Sequence, residues 1–227
     1  MGLLFVLLDA AIGEVVVFND YVTHTTLKDD RLLIEREITL KNVGKNPIIP
    51  GELHFKLHEI KKNERVPSVV RDFKAQNDYQ QELKTRTIEG REETDLVISV
   101  WEPVLPQFSY RIKLSYELEF KTKGLLFYEL NVPLEETSIP IRNNRHNLYI
   151  PSGYHVTYAP NAVVSSVSRN QNAYEMVSWE NRESMVIEYS RLPLPKMGIR
   201  AVNIFWGVVI VSMILLTFLI HRKMKNI

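Results

Sequence analysis

The chain has 227 residues, with 28 basic and 27 acidic side chains, a formal net charge of +1 and no cysteine. Without thiols there is no disulfide, thiolate nucleophile, cysteine-based zinc or iron–sulfur site or lipid-attachment cysteine, so the fold must rest on its hydrophobic core. Setting aside Asp9, Arg222, Lys223 and Lys225 leaves a body, residues 14–200, with 25 basic against 26 acidic groups. That balance argues against nucleic acid, which asks for a concentrated basic surface.

At the amino terminus, the apolar run from Leu3 to Leu8 and the small-x-small site Ala11, Ile12, Gly13 before Glu14 have the pattern of a secretory signal. No Lys or Arg precedes the run and Asp9 interrupts its end, so residues 1–8 also read as a buried strand of a cytosolic domain. Residues 1–13 are expected to be an export leader. The alternative is a tail-anchored protein facing the cytoplasm.

A strand is expected over residues 15–21, and a second carries Leu32, Ile34, Ile38 and Leu40 on one face before the turn signal at 42–47. After Pro50 and Gly51, Leu53, Phe55 and Leu57 face inward and His54, Lys56 and His58 outward. Further strands are expected near residues 68–75, 83–88 and 96–101, with the charged link 89–93 as a hairpin loop. Residues 71–86 also suit a helix by composition, without a firm period. The clearest signal is Phe108, Tyr110, Ile112, Leu114, Tyr116, Leu118 and Phe120, apolar at every second position with polar residues between. Strict period two requires a strand with one buried and one wet face.

The pattern restarts after residues 121–124 with short strands near 125–132, 148–150, 154–158, 163–167, 174–179 and 185–189, punctuated by Pro133, Pro140, Pro151 and Pro160. Such a series predicts an all-β fold of one or two antiparallel β-sandwich domains. The division expected is residues 14–122 and 123–190, with a single larger sandwich as the alternative. Leu192, Pro193, Leu194 and Pro195 then make a stiff linker, residues 191–200.

Residues 201–220 are an uncharged, almost wholly apolar run. Twenty helical residues span about 30 Å, the hydrocarbon thickness of a bilayer, and a basic tail, residues 221–227, follows. A single transmembrane helix is expected, with Trp206 as an interfacial aromatic and Arg222, Lys223 and Lys225 as the stop-transfer flank. Asn203 and Gly207, one turn apart, offer a weak contact face for a second helix. Arg191, Lys196 and Arg200 precede the span, so the flanking charges tie, and orientation rests on the leader.

Catalytic motifs are sparse. His54 and His58 are four apart, which on a strand places their rings about 13 Å apart and excludes a shared ion, so both are expected to be solvated. No Gly-x-Ser-x-Gly, His-Glu-x-x-His or phosphate-cradling glycine motif occurs, and no cofactor or metal is implied. The acidic pairs at 29–30, 92–93 and 135–136 are expected in loops as solvated turn residues. Tyrosines crowd the second half of the chain, and Asn143, Asn144, Arg145, His146 and Asn147 read as a polar loop before Leu148, the candidate interaction loop. No Asn-x-Ser/Thr sequon is present, which favours a prokaryotic envelope among exported settings. The expectation is a single-pass membrane protein with an extracytoplasmic β-rich interaction module and a cytoplasmic C-terminus. It would be non-enzymatic, an accessory subunit meeting the bilayer and another membrane or envelope protein. An extracytoplasmic enzyme or glycan-binding domain, and a tail-anchored cytoplasmic adaptor, are the alternatives.

Overall fold

The structure is a computed structural model that describes residues 15–28, 31–61, 64–120, 124–169, 171–180 and 185–225. The expected leader therefore lies outside the described residues. In chain order the strands are β1 (Val16–Lys28), β2 (Arg31–Asn42), β3 (Gly51–Lys61), β4 (Glu64–Pro67), β5 (Val70–Asn77), β6 (Lys84–Glu89), β7 (Thr94–Val100) and β8 (Ser109–Glu119). They continue as β9 (Phe127–Asn131), β10 (Leu134–Thr137), β11 (Ile141–Pro151), β12 (His155–Tyr158), β13 (Val163–Arg169), β14 (Asn172–Glu180) and β15 (Val186–Ser190), followed by the helix α1 (Ala201–Lys225).

The largest sheet has seven strands in the order β13-β14-β11-β1-β2-β8-β5. Its centre follows from alternation: Leu32, Ile34, Ile38 and Leu40 of β2 and Ile112, Leu114, Tyr116 and Leu118 of β8 are buried on one face. The strand starts at Ser109, and Phe108, expected as its first inward residue, is exposed. Two smaller sheets share its core, β10-β3-β7-β6 with β4 paired to β3, and β12-β15-β9. Phe18 of the large sheet stacks on Phe55 of β3 at 5.9 Å between ring centroids. Leu130, Val156, Ile187 and Tyr189 of the three-stranded sheet join the same apolar cluster. Each such side chain removed from water contributes about 1.5–3 kcal/mol, which lets the fold stand without crosslinks.

The all-β expectation holds, and several details are corrected. The large sheet takes β1, β2, β5 and β8 from before residues 121–124 and β11, β13 and β14 from after them, so the sheet is continuous across the boundary expected there. Central strands β1 and β11 are parallel, pairing from Phe18 opposite Ile141 to Thr26 opposite Tyr149, inside an otherwise antiparallel sheet. Residues 143–147 are thus the middle of β11 and not a loop. They form a strand because β1 pairs with the whole of 143–147 and β14 takes the other side from Arg145 onward. Residues 71–86 hold no helix but β5 and β6, since their helix formers lack an apolar stripe that a helix could bury. His58 is only 1% exposed, contrary to the expected solvated pair, because both β4 and β10 pair with β3 at that residue.

Helix α1 runs on through Arg222 and Lys223 to Lys225. Ala201–Met224 contains an apolar, unburied stretch, and its 24 residues reach about 36 Å, long and apolar enough to cross a bilayer. Thr217 satisfies its hydroxyl on the Met213 carbonyl at 2.9 Å, as an alcohol in an apolar helix must.

Candidate functional site

The two smaller sheets leave a seam, bridged where Val132 and Pro133 carry the chain from β9 to β10. Under the seam the inward face of the large sheet is polar. Thr23 of β1 stands opposite Arg36 of β2 on one side and His146 of β11 on the other, a row of three polar residues between the mixed rows Ile38, Tyr21, Asn144 and Ile34, Thr25, Leu148. A cavity of about 620 Å³ opens there, walled by Tyr21, Tyr116, Asn144 and Leu57 as well as by that row.

Arg36 is 5% exposed in its side chain and Glu135 of β10, reaching in from above, 13%. The guanidinium donates through Nη1 to Glu135 Oε1 at 2.7 Å, through Nη2 to Glu135 Oε2 and to the Tyr116 hydroxyl, and through Nε to Thr23 Oγ1 at 3.0 Å. Tyr21 donates its hydroxyl to the same carboxylate, and the guanidinium lies 4.8 Å from its ring centroid. Every strong polar group of the cluster is therefore satisfied, which is what a buried ion pair requires. Burial opposes the charge on Arg36, but the Glu135 carboxylate outweighs it and drives the guanidinium pKa further up. Burial also pushes the Tyr21 and Tyr116 phenols above their ordinary range, so both stay protonated donors.

His146 is held at the end of the row, its Nε2 3.0 Å from Thr25 Oγ1 and its ring edge-on to Trp179. Burial, aided by the charges of Arg36 and His24, lowers its pKa to about 3. The unfolded chain takes up a proton near pH 6.5 while the folded chain does not, so stability is lost as pH falls from 6.5 towards 3, by up to about 1.4 kcal/mol per pH unit. Replacing His146 by Asn is expected to remove that slope. Thermal midpoints of the two proteins should run parallel above pH 6.5 and converge below it, and parallel behaviour down to pH 4 would contradict the buried neutral imidazole.

A second cavity of about 640 Å³ continues the seam, sharing Val132, Pro133 and Met185 with the first. Its walls mix Arg31, Lys61, Arg71 and Glu119 with Ile60, Val69 and Phe120. Arg71 pairs with Glu119, and the buried His58, whose Nδ1 has no hydrogen-bond partner among the described residues, also lines this end.

The third polar feature joins the sheets to the helix. Glu188 of β15 is 3% exposed, yet its carboxylate accepts hydrogen bonds from the backbone amides of Ala201 at 2.7 Å and Val202 at 3.3 Å and from Thr157 Oγ1 at 2.7 Å. It occupies the first turn of α1, where unpaired amides and the helix dipole both favour an anion. Arg200 donates to Glu129 at 2.5 Å and Phe127 packs on Phe205 at 5.9 Å. The expected stiff linker is tied down too: Met197 N donates to Thr157 O at 2.7 Å and Lys196 Nζ to Ala162 O at 2.7 Å.

The residues singled out from sequence are dispersed. Asn144 and His146 face the seam cavity, whereas Asn143, Arg145 and Asn147 lie on the opposite face of the sheet. There Asn143 donates to Asp20 at 3.1 Å, Arg145 pairs with Glu180, and Asn147 accepts from Ser178 Oγ at 2.8 Å beside His24 and Tyr149. Trp206 is exposed and edge-on to Phe205, and Asn203 and Gly207 lie one turn apart on α1 with open space around Gly207. Arg36 and Glu188 were not singled out, and Glu135, expected as a solvated turn residue, lies in strand β10 with its carboxylate turned in on Arg36. The available signal for Arg36 was a charge at the inward parity of β2, between Ile34 and Ile38.

No protein-family model matches the chain, and no curated protein matches it in sequence. Among solved structures it is similar to an M1 zinc metallopeptidase from Deinococcus radiodurans, at 12% identity and a TM-score of 0.46 over 77% of this chain and 42% of that one. It is also similar to a protein from Legionella pneumophila described as nutrient-binding, at 9% identity and a TM-score of 0.49 over 78% of this chain and 67% of that one. The chain thus spans less than half of the metallopeptidase it resembles, and at these scores neither likeness carries an argument about activity.

Proposed function

We propose that this is a single-pass membrane protein whose β-sandwich lies outside the cytoplasm and binds or positions another membrane or envelope protein, as a non-enzymatic accessory subunit. The observation that carries this reading is the direct seating of α1 on the sandwich through Glu188. A domain keyed to its anchor holds one face at a fixed height and angle to the bilayer, which is what presenting a surface to a neighbouring membrane protein needs. Crosslinking in native membranes followed by purification in mild detergent tests it. One reproducible membrane-protein partner is expected, and recovery of the chain alone counts against the reading. Protease shaving of intact cells tests the side: the sandwich should be cleaved from outside, and protection of the sandwich would leave the cytoplasmic, tail-anchored arrangement.

The seam cavities favour one further reading, a ligand-binding or glycan-binding domain, because they combine aromatic walls with charged groups in a concave site. A shift of thermal midpoint with a panel of oligosaccharides would favour it over the interaction module.

A further inference from the structure

We propose that the turn from Gly124 to Phe127 is a second membrane contact, a leucine-bearing loop that dips into the bilayer interface beside the first turns of α1. The inference rests on the reading of α1 as a membrane span. It begins with Leu125, which is 91% exposed and is followed by the exposed Leu126. Two adjacent leucines in water have no packing role to offset their exposure, so what covers them decides their meaning.

The position of the turn answers that. Strand β15 ends at Ser190, which pairs with Phe127 at the start of β9, and Ser190 Oγ donates to the Leu126 carbonyl at 2.8 Å. Helix α1 starts level with Glu188, two residues back along β15, because that carboxylate holds the Ala201 amide. Four residues on, Phe205 meets Phe127. Two strand residues cover about 7 Å and four helical residues about 6 Å, so the helix descends in the direction in which β15 runs out. Leu126 and Leu125, beyond Phe127 on that side, therefore lie level with the second turn of α1 or deeper. The uncharged run of α1, residues 201–220, is about the 20 that cross the hydrocarbon, and Arg222 and Lys223 close its far end, so its second turn stands at or just inside the lipid boundary.

The turn is also built to hold its shape. Gly124 has a φ of 120°, and a Cβ there would fall 1.8 Å from the Phe127 carbonyl oxygen. Leu192 and Ile199 in the linker and Trp206 in the second turn of α1 are exposed too, with Leu192 N bound to the same Ser190 hydroxyl at 3.0 Å. Exposed apolar side chains beside the start of an apolar helix, with Arg191, Lys196 and Arg200 in the same segment, fit one occupant, the acyl and headgroup boundary of the lipid that surrounds that helix.

The chain has no native cysteine, so single labels can be placed at will. The full-length protein is labelled with a polarity-sensitive fluorophore at Leu125→Cys, at Ile214→Cys in the middle of α1, or at Ile60→Cys. Ile60 lies by the far ends of β9 and β15, with Asn131 and Val186 around the same cavity. Each is reconstituted in vesicles of phosphatidylcholine and phosphatidylglycerol and quenched with iodide or with shallow doxyl lipid. The expected result is a blue-shifted Leu125 label quenched several-fold more by doxyl lipid, and several-fold less by iodide, than the Ile60 label. A Leu125 label as open to iodide as the Ile60 label, with the Ile214 label in lipid, overturns the loop contact and leaves the span standing. Protection from both quenchers would mean that a second copy of the chain covers the turn, which also overturns it. An Ile214 label in water removes the span and the loop contact together.

Discussion

Arg36→Ala is expected to be among the most damaging single substitutions in the sandwich, costing about 3–5 kcal/mol, the usual loss when one partner of a buried ion pair is removed. The variant leaves the Glu135 carboxylate buried without its cation, and Thr23 and Tyr116 lose the donor that satisfies them. A fold of this size loses about 2–4 °C of melting temperature per kcal/mol, so a drop of about 6–20 °C is the reading in detergent solution. Replacing both partners, as in R36M with E135L, removes the uncompensated charge and should recover much of that loss, because apolar groups of similar volume often serve a buried position as well as an ion pair does. A single variant that melts with the parent would contradict the burial of the pair. Glu135 is also the tie between edge strand β10 and the large sheet, so the single variant should expose the amides of residues 134–137 to hydrogen exchange ahead of global unfolding.

The same residues explain what could be read from the sequence and what could not. Strand β8 was legible because its inward row is Ile112, Leu114, Tyr116 and Leu118, all apolar or aromatic. The second half of β1 and the first half of β11 were not, because the inward positions Thr23, Thr25, Asn144 and His146 are polar where the sheet faces the seam. A bulge between Phe18 and Asp20 also shifts the parity of β1 by one residue. Parallel pairing of β1 with β11 joins residues more than 100 apart, and no local periodicity encodes it. The apolar helix was plain from composition. Its cap was not, since Glu188 sits in a strand that alternates like any other and acquires its role only when the chain returns after ten residues of linker.

Glu188→Ala should loosen the sandwich from its helix. Two hydrogen bonds donated by backbone amides to the carboxylate and one donated by the Thr157 hydroxyl are lost, and a charge-assisted hydrogen bond of this kind contributes about 1.5–3 kcal/mol. The site is buried at Glu188 and Ala201, so the Ala201 amide and the Thr157 hydroxyl gain no full replacement from bulk solvent. Part of the docking remains in Phe127 against Phe205 and in the Arg200–Glu129 pair, so a net weakening of about 2 kcal/mol is the expectation, about 30-fold in the population of undocked helix. Arg191, Lys196 and Arg200 place three trypsin sites in the segment that docking protects, and cleavage there tracks the undocked population when closing is fast. The cleavage rate in vesicles should rise about 30-fold for Glu188→Ala and less for Glu188→Gln, which keeps an acceptor for one amide but loses the charge that the helix dipole favours. Because Glu188 lies at one end of the sandwich and the Arg36 cluster in its seam, the thermal midpoint of the sandwich should fall less than in the Arg36 variant. Equal cleavage rates in all three proteins would show that the carboxylate does not hold the helix, and with it would go the fixed presentation on which the accessory-subunit reading depends.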